Sequence, residues 1–281
     1  MVVNFLLLIF KFAAGIIGNS AAMIADAVHS LSDFVTDIVV LLFINISSKP
    51  KDEGHDYGHG KYETMATTII GIALLFVGIV LFWSGIQKIY GFFFLNQELS
   101  EPGYIALIAA FVSIVTKEIL YQATARVGKK ENSQAVIANA WHHRSDALSS
   151  IGTAIGIGGA ILLGEKWRVL DPIAAVIVSI FIVKVSLKLV IPAANELLEK
   201  SLPKVTEDEI LSLICKTPGV KSPHNLYTRR IGNEIAIEVH IRVDGNTTVM
   251  NAHEMTKEIE SRLRTKFGSQ THITLHVEPI K

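Results

Sequence analysis

Apolar residues run in long, nearly unbroken stretches through the first two thirds of the chain. Six of these stretches reach the ~20 residues needed to cross ~30 Å of hydrocarbon as a helix. They lie at about 2–23, 26–46, 64–90, 102–125, 135–163 and 169–191; Thr64 to Ile86 carries no charge, and 26–46 is the most polar. The opening VVNFLLLIFKFAAGIIG reads as a span and not as a signal peptide, because it lacks a basic leader and further apolar segments follow it. Lys49, Lys51 and Lys61 follow the second span, and Arg126, Lys129 and Lys130 the fourth, which places those loops in the cytosol and predicts both termini inside. The segments GNSAAMIAD and GFFFLNQELSEPG, free of Lys and Arg, are expected as outer loops, whereas Lys166 and Arg168 in GEKWRVLD run against the rule.

After about residue 200 the pattern changes to short alternations of apolar and charged residues, the mark of a small α+β domain. Thr206 to Glu209 has the spacing of a capping box opening a helix that closes near Gly219. NLYTRRI and EIAIEVHIRV read as strands joined through Gly232-Asn233, followed by a helix over about 248–267 and a strand THITLHVE. The expected architecture is an all-α domain of six transmembrane helices, 1–200, plus a cytosolic α-β-β-α-β domain of metallochaperone or ferredoxin-like order, 201–281.

Composition sharpens this picture. Half the 281 residues are apolar and 19% are charged, against ~25% for soluble proteins, which assigns most of the chain to lipid. Basic and acidic residues balance at 26 each, so no net field attracts nucleic acid. The one cysteine, Cys215, excludes an internal disulfide framework and a thiolate-rich metal site.

Candidate chemistry then falls to His and carboxylates. In the second span His29, Asp33 and Asp37 recur at i, i+4 and i+8, on one helix face; His142 and Asp146 repeat the pairing in the fifth. A carboxylate at mid-membrane costs about 2.5–3.5 kcal/mol, so these residues require a compensating cation or partner. If the two faces meet, four nitrogen and oxygen ligands suit tetrahedral zinc. Asp37 has three readings: a pair with Lys117, a proton carrier, or a transient metal contact. The loop KDEGHDYGHGK holds Asp52, His55 and His59, which make either a weak surface zinc site or a solvated loop. On the tail strands Ile235, Ile237, Val239, Ile241 and Val243 share one face, leaving His240 on the polar face with Glu238 and Arg242. His272, His276 and Glu278 share the exposed face of the last strand, His224 precedes the hairpin, and His253 opens the helix. With His272 left aside, eight of the ten histidines fall in these three groups, which makes metal their common explanation. No H-E-x-x-H motif of a zinc protease occurs, and an anchor for a mere sensor has no need of intramembrane charge.

HSLSD, GHGKYE and AWHHRSDALSS resemble the signatures of the cation diffusion facilitator family, and the resemblance extends over the whole chain except for its shorter start. It implies a homodimer in a lipid bilayer, the cell membrane if the source is a prokaryote, that exports divalent metal from the cytosol in exchange for protons. By position it implies a transport site of His29, Asp33, His142 and Asp146 and a variable loop site of Asp52, His55 and His59. It further implies a binuclear site of His224, His240, His253, His276 and Glu278 bridging two tails, and a Lys61–Glu199 pair locking the protomers; His272 has no counterpart. A His at position 29 resembles zinc-preferring members, while Mn(II), Fe(II) and Cd(II) remain chemically open. A manganese or iron exporter of the same build and a membrane-anchored metal sensor are the alternatives.

Overall fold

The computed structural model describes residues 2–47, 49, 51–130, 134–232 and 234–280, without the side chains at 36, 37, 39–47, 128, 134–139 and 142. Six long helices come first: α1 (Val2–Ile17), α2 (Ala21–Ser47), α3 (Lys61–Phe94), α4 (Tyr104–Lys130), α5 (Gln134–Leu162) and α6 (Leu170–Leu197). Four described segments are long and apolar enough to cross a membrane: Lys61–Phe94, Tyr104–Val127, His143–Leu162 and Glu165–Leu197. The protein is a multi-pass membrane protein with a small helix-and-sheet tail.

Two boundaries depart from the hydropathy pattern. α1 is 16 residues, rising about 24 Å, and stops at Gly18 and Asn19, where Asn19 adopts φ 48°. α2 begins at Ala21, so the expected loop GNSAAMIAD is a tight turn followed by helix. The reason lies 150 residues away. Asp171 accepts from Ser20 Oγ at 2.5 Å, Ala21 N at 2.7 Å and Ala22 N at 3.3 Å, satisfying the free N–H groups that open α2. Near the other expected outer loop, Arg168 pairs with Glu101 at 3.1 Å and donates to Leu99 O at 3.2 Å.

Contacts divide the chain into two compact units, Met1–Ile38 with Ile70–Leu189 and Val39–Ile69 with Val190–Lys281. The first is packed with small residues: Ala14, Ala22, Ala106, Ala109, Ala110, Ala154 and Ala174 cluster with Met23, Ile157 and Ile161. Small side chains let helices approach closely in lipid, where apolar burial against lipid tails supplies little driving force. Gly156 extends this at the α5–α6 crossing, where any Cβ would overlap Ala174.

In the second unit the tail runs α7 (Lys204–Cys215), β1 (Lys221–Ile231), β2 (Glu234–Val243), α8 (Val249–Phe267) and β3 (His272–Pro279). α7 starts two residues before the expected capping box. Pro203 stands at its N-cap without a side-chain bond, and Glu207 instead accepts from Thr228 Oγ1 at 3.0 Å. Thr248 caps α8 through Asn251 N. The sheet order is β1-β2-β3, with β1 antiparallel and β3 parallel to β2. Ile235, Ile237, Val239, Ile241 and Val243 are all buried, as their period of two demands, against Ile210, Ile214, Ile259 and Leu263 of the two helices. Asn233 of the expected turn lies outside the described residues; Gly232 adopts φ 61°, and a side chain there would strike Gly60.

Candidate metal centre

In the membrane unit, one ligand atom each from His29, Asp33 and Asp146 lies within 4.8 Å of the others. His29 and Asp33 come from successive turns of α2, and Asp146, 5% exposed, from α5. His29 Nδ1 is buried with no hydrogen-bond partner among the described residues. An unsatisfied buried polar atom costs about 1–3 kcal/mol, which coordination to a metal would recover. His142 stands one turn before Asp146 on α5; its side chain and that of Asp37 lie outside those described.

Lys117, one of the partners that the sequence allowed for Asp37, whose side chain lies outside those described, is engaged on α5. Its Nζ donates to Asp146 Oδ2 at 2.8 Å. One turn along the same helices, Ser113 Oγ and Ser150 Oγ lie 3.0 Å apart, so α4 and α5 are joined by two polar rungs. A second charge pair escapes the sequence reading altogether. Lys11 Nζ lies 2.7 Å from Asp26 Oδ2, both 1% exposed, and donates to Ser30 Oγ at 3.0 Å and Ser150 Oγ at 3.3 Å. All three ammonium donors are therefore used. The clue was partial: Lys11 is the one charge of the first apolar segment and needs an acid at its depth, but Asp26 shares its segment with Asp33 and Asp37.

The loop residues also converge. Asp52 lies 3.1 Å from His55 Nδ1 and 3.4 Å from His59 Nε2, and His59, 8% exposed, leaves a buried Nδ1 without a partner among the described residues. The hydrogen bond with His55, the Gly54 N–H and the two imidazoles hold the Asp52 carboxyl below its ordinary range, against an opposing effect of desolvation. Lys61 at the start of α3 pairs with Glu199 within the same chain, and Arg229 Nε reaches Glu199 Oε2 at 3.0 Å.

In the tail, the ligand atoms of His224, His240 and Glu278 fall within 4.8 Å of one another. The parallel register sets His240 beside His276 and Arg242 beside Glu278. His224 reaches them because β1 is irregular on both sides of it, and such bulges re-aim side chains. Its Nδ1 is held by Ser222 O at 2.9 Å, which leaves Nε2 3.3 Å from Glu278 Oε2. His240 Nδ1 lies 3.1 Å from Glu278 Oε1 and His276 Nε2 3.9 Å from the same atom. His253, exposed on the first turn of α8, stands apart from this trio but lines a groove that Glu278 also lines. His272 lies 3.5 Å from Glu234 Oε2, with its ring 5.1 Å from Tyr57.

Glu278 is held below the ordinary carboxylate range, first by its hydrogen bond with His240 and then by His224 and Arg242, outweighing desolvation. A depressed carboxyl contributes stability above its unfolded value and loses it as pH falls through its folded value. The Glu278 contribution is therefore present at neutral pH and is lost as pH falls from the ordinary carboxyl range through its lowered folded value.

Apolar helices enclosing a convergent set of nitrogen and oxygen ligands define a membrane transporter for divalent cations. The chain belongs to the cation diffusion facilitator family: residues 1–198 match the cation efflux transmembrane domain and 202–280 the cytoplasmic domain of cation efflux proteins. It is a divalent-metal efflux transporter and not an enzyme. It is 35% identical to the manganese efflux system protein MneP of Bacillus subtilis (strain 168), over 99% of this chain and 93% of that one. It is also 35% identical to metal tolerance protein C1 of Arabidopsis thaliana, over 96% of this chain and 59% of that one. The solved metal-bound C-terminal domain of the CzcD transporter from Thermotoga maritima is 33% identical, over 28% of this chain and 94% of that one, with a TM-score of 0.25.

Proposed function

We propose that the protein exports zinc from the cytosol in exchange for protons, as a homodimer with both termini inside, through His29, Asp33, His142 and Asp146. The observation that carries this reading is the convergence of His29, Asp33 and Asp146, with a buried imidazole nitrogen left unsatisfied. Two imidazoles and two carboxylates form a tetrahedral nitrogen–oxygen set, which suits zinc and lacks the thiolates that copper(I) prefers. Ligands must be deprotonated to hold metal, so loading releases protons, and protons arriving from the far side promote release. Competition at one site thus couples the two flows. In this reading residues 1–200 carry transport and 201–281 form the dimerising, metal-binding tail.

A manganese reading has one specific support, the name of the Bacillus relative that matches along nearly its full length. Purified protein in proteoliposomes with an imposed pH gradient decides between them. Zinc flux is expected to exceed that of manganese, iron(II) and cadmium. A clear preference for manganese would overturn the choice of zinc while leaving the exchange mechanism standing.

In the tail, His224, His240, His276 and Glu278, with His253 of a second copy, form a regulatory site in this reading, and Lys61–Glu199 supports the dimer. Replacing His240 by Ala together with Glu278→Gln lowers apparent metal affinity in flux assays, by about 10–100-fold at the tail site, and leaves maximal flux near that of the parent. Glu278 keeps its charge, and so its capacity as a ligand, at neutral pH. Identical metal dependence in the double variant and the parent would remove the tail from regulation.

A further inference from the structure

We propose that Lys117 is a resident counter-cation of the intramembrane site: its ammonium holds Asp146 when no metal is bound, and arriving metal must displace it. The inference rests on the assignment of Asp146 to the transport site. Lys117 Nζ stands 2.8 Å from Asp146 Oδ2, and the two residues are 3% and 5% exposed, so water does not compensate either charge. The same carboxyl belongs to the cluster with His29 and Asp33. Metal and ammonium therefore compete for one group.

The balance of charge makes such an exchange workable. Asp33 and Asp146 supply the carboxyl oxygens of the cluster, and the ammonium of Lys117 stands on Asp146. A divalent ion brought to the same carboxyl repels that ammonium. The Ser113–Ser150 rung, one turn away, pins α4 against α5, so Lys117 leaves by swinging its four-carbon stem and not by helix sliding. Return of the ammonium to Asp146 favours release of the ion, and a carrier needs binding strong enough to load yet weak enough to unload. No proton moves to or from Lys117 in this scheme; charge replaces charge.

The test is equilibrium titration of the purified full-length protein with Zn(II) and Cd(II), together with proton-driven flux. Binding to the membrane site is the component lost in Asp146→Asn. If that variant loses no component, the assignment of the site itself fails. If it does, Lys117→Met is expected to tighten that component about tenfold and to slow flux at saturating metal. Lys117→Arg is expected to weaken it, because the planar guanidinium grips a carboxylate with two parallel bonds. A lysine that only supports the fold gives the opposite order, with arginine close to the parent and methionine losing affinity along with thermal stability. That order, or equal affinity in all three, overturns the counter-cation role and leaves the transport site intact. Should Lys117→Met fail to fold, Lys117→Arg decides alone: parental affinity rejects the role, and weaker binding with a parental unfolding temperature supports it.

Discussion

Asp146→Ala is expected to abolish pH-gradient-driven metal uptake into inside-out vesicles, a loss of at least about 100-fold, since outer-shell changes at metal sites alone cost 10–100-fold. The substitution removes a ligand atom that lies with those of His29 and Asp33 in one cluster. It also strands Lys117, a buried ammonium whose partner is this carboxylate. Part of the loss can therefore come from unfolding, because breaking a buried pair by deleting one member costs about 3–5 kcal/mol. Asp146→Asn separates the two effects. The amide keeps the volume and an acceptor for Lys117 but lacks the charge that metal needs. A protein less destabilised than the alanine variant and without flux is the expected outcome for asparagine. Undiminished flux in either variant removes Asp146 from the transport site.

Lys11→Met is expected to be the most damaging change away from that cluster, destabilising the protein by about 3–5 kcal/mol. The ammonium is 1% exposed and contacts Asp26, Ser30 and Ser150, so its loss leaves a carboxylate buried without its cation. Replacing both members, Lys11→Met with Asp26→Leu, is expected to restore most of the stability, because an apolar pair avoids the desolvation of two ions. Ser150 keeps Ser113 as a partner in the double variant, so the α4–α5 rung survives. Thermal unfolding in detergent measures both. A single variant as stable as the parent contradicts the buried pair, and a double variant no better than the single one means that Asp26 has a further role in the fold.

The parts of this protein that were readable along the chain are those where a single element repeats its own period against one environment. β2 buries every second residue from Ile235 to Val243, so its polar face, and with it His240, followed from alternation alone. His29 and Asp33 shared a face because four residues make about one helical turn. The end of α1 was not readable, because the carboxylate that opens α2 belongs to Asp171 on α6. Nor was the capping of α7, where Pro203 replaced the expected Thr206 and tertiary contact drew Glu207 to Thr228.

Hydropathy and spacing by themselves thus determined that the chain enters a membrane, that it ends in a small sheet-and-helix domain, and which His and carboxylate pairs share a turn. Which charge meets which was decided only by the packing of separate helices and strands: Lys117 with Asp146, Lys11 with Asp26, and His224 with Glu278 across an irregular strand. Local periodicity follows from backbone geometry that every residue carries with it. A buried charge is compensated instead by whatever the opposite helix presents at that depth, and the rotation of one helix against another is fixed by small-residue packing spread over the whole bundle.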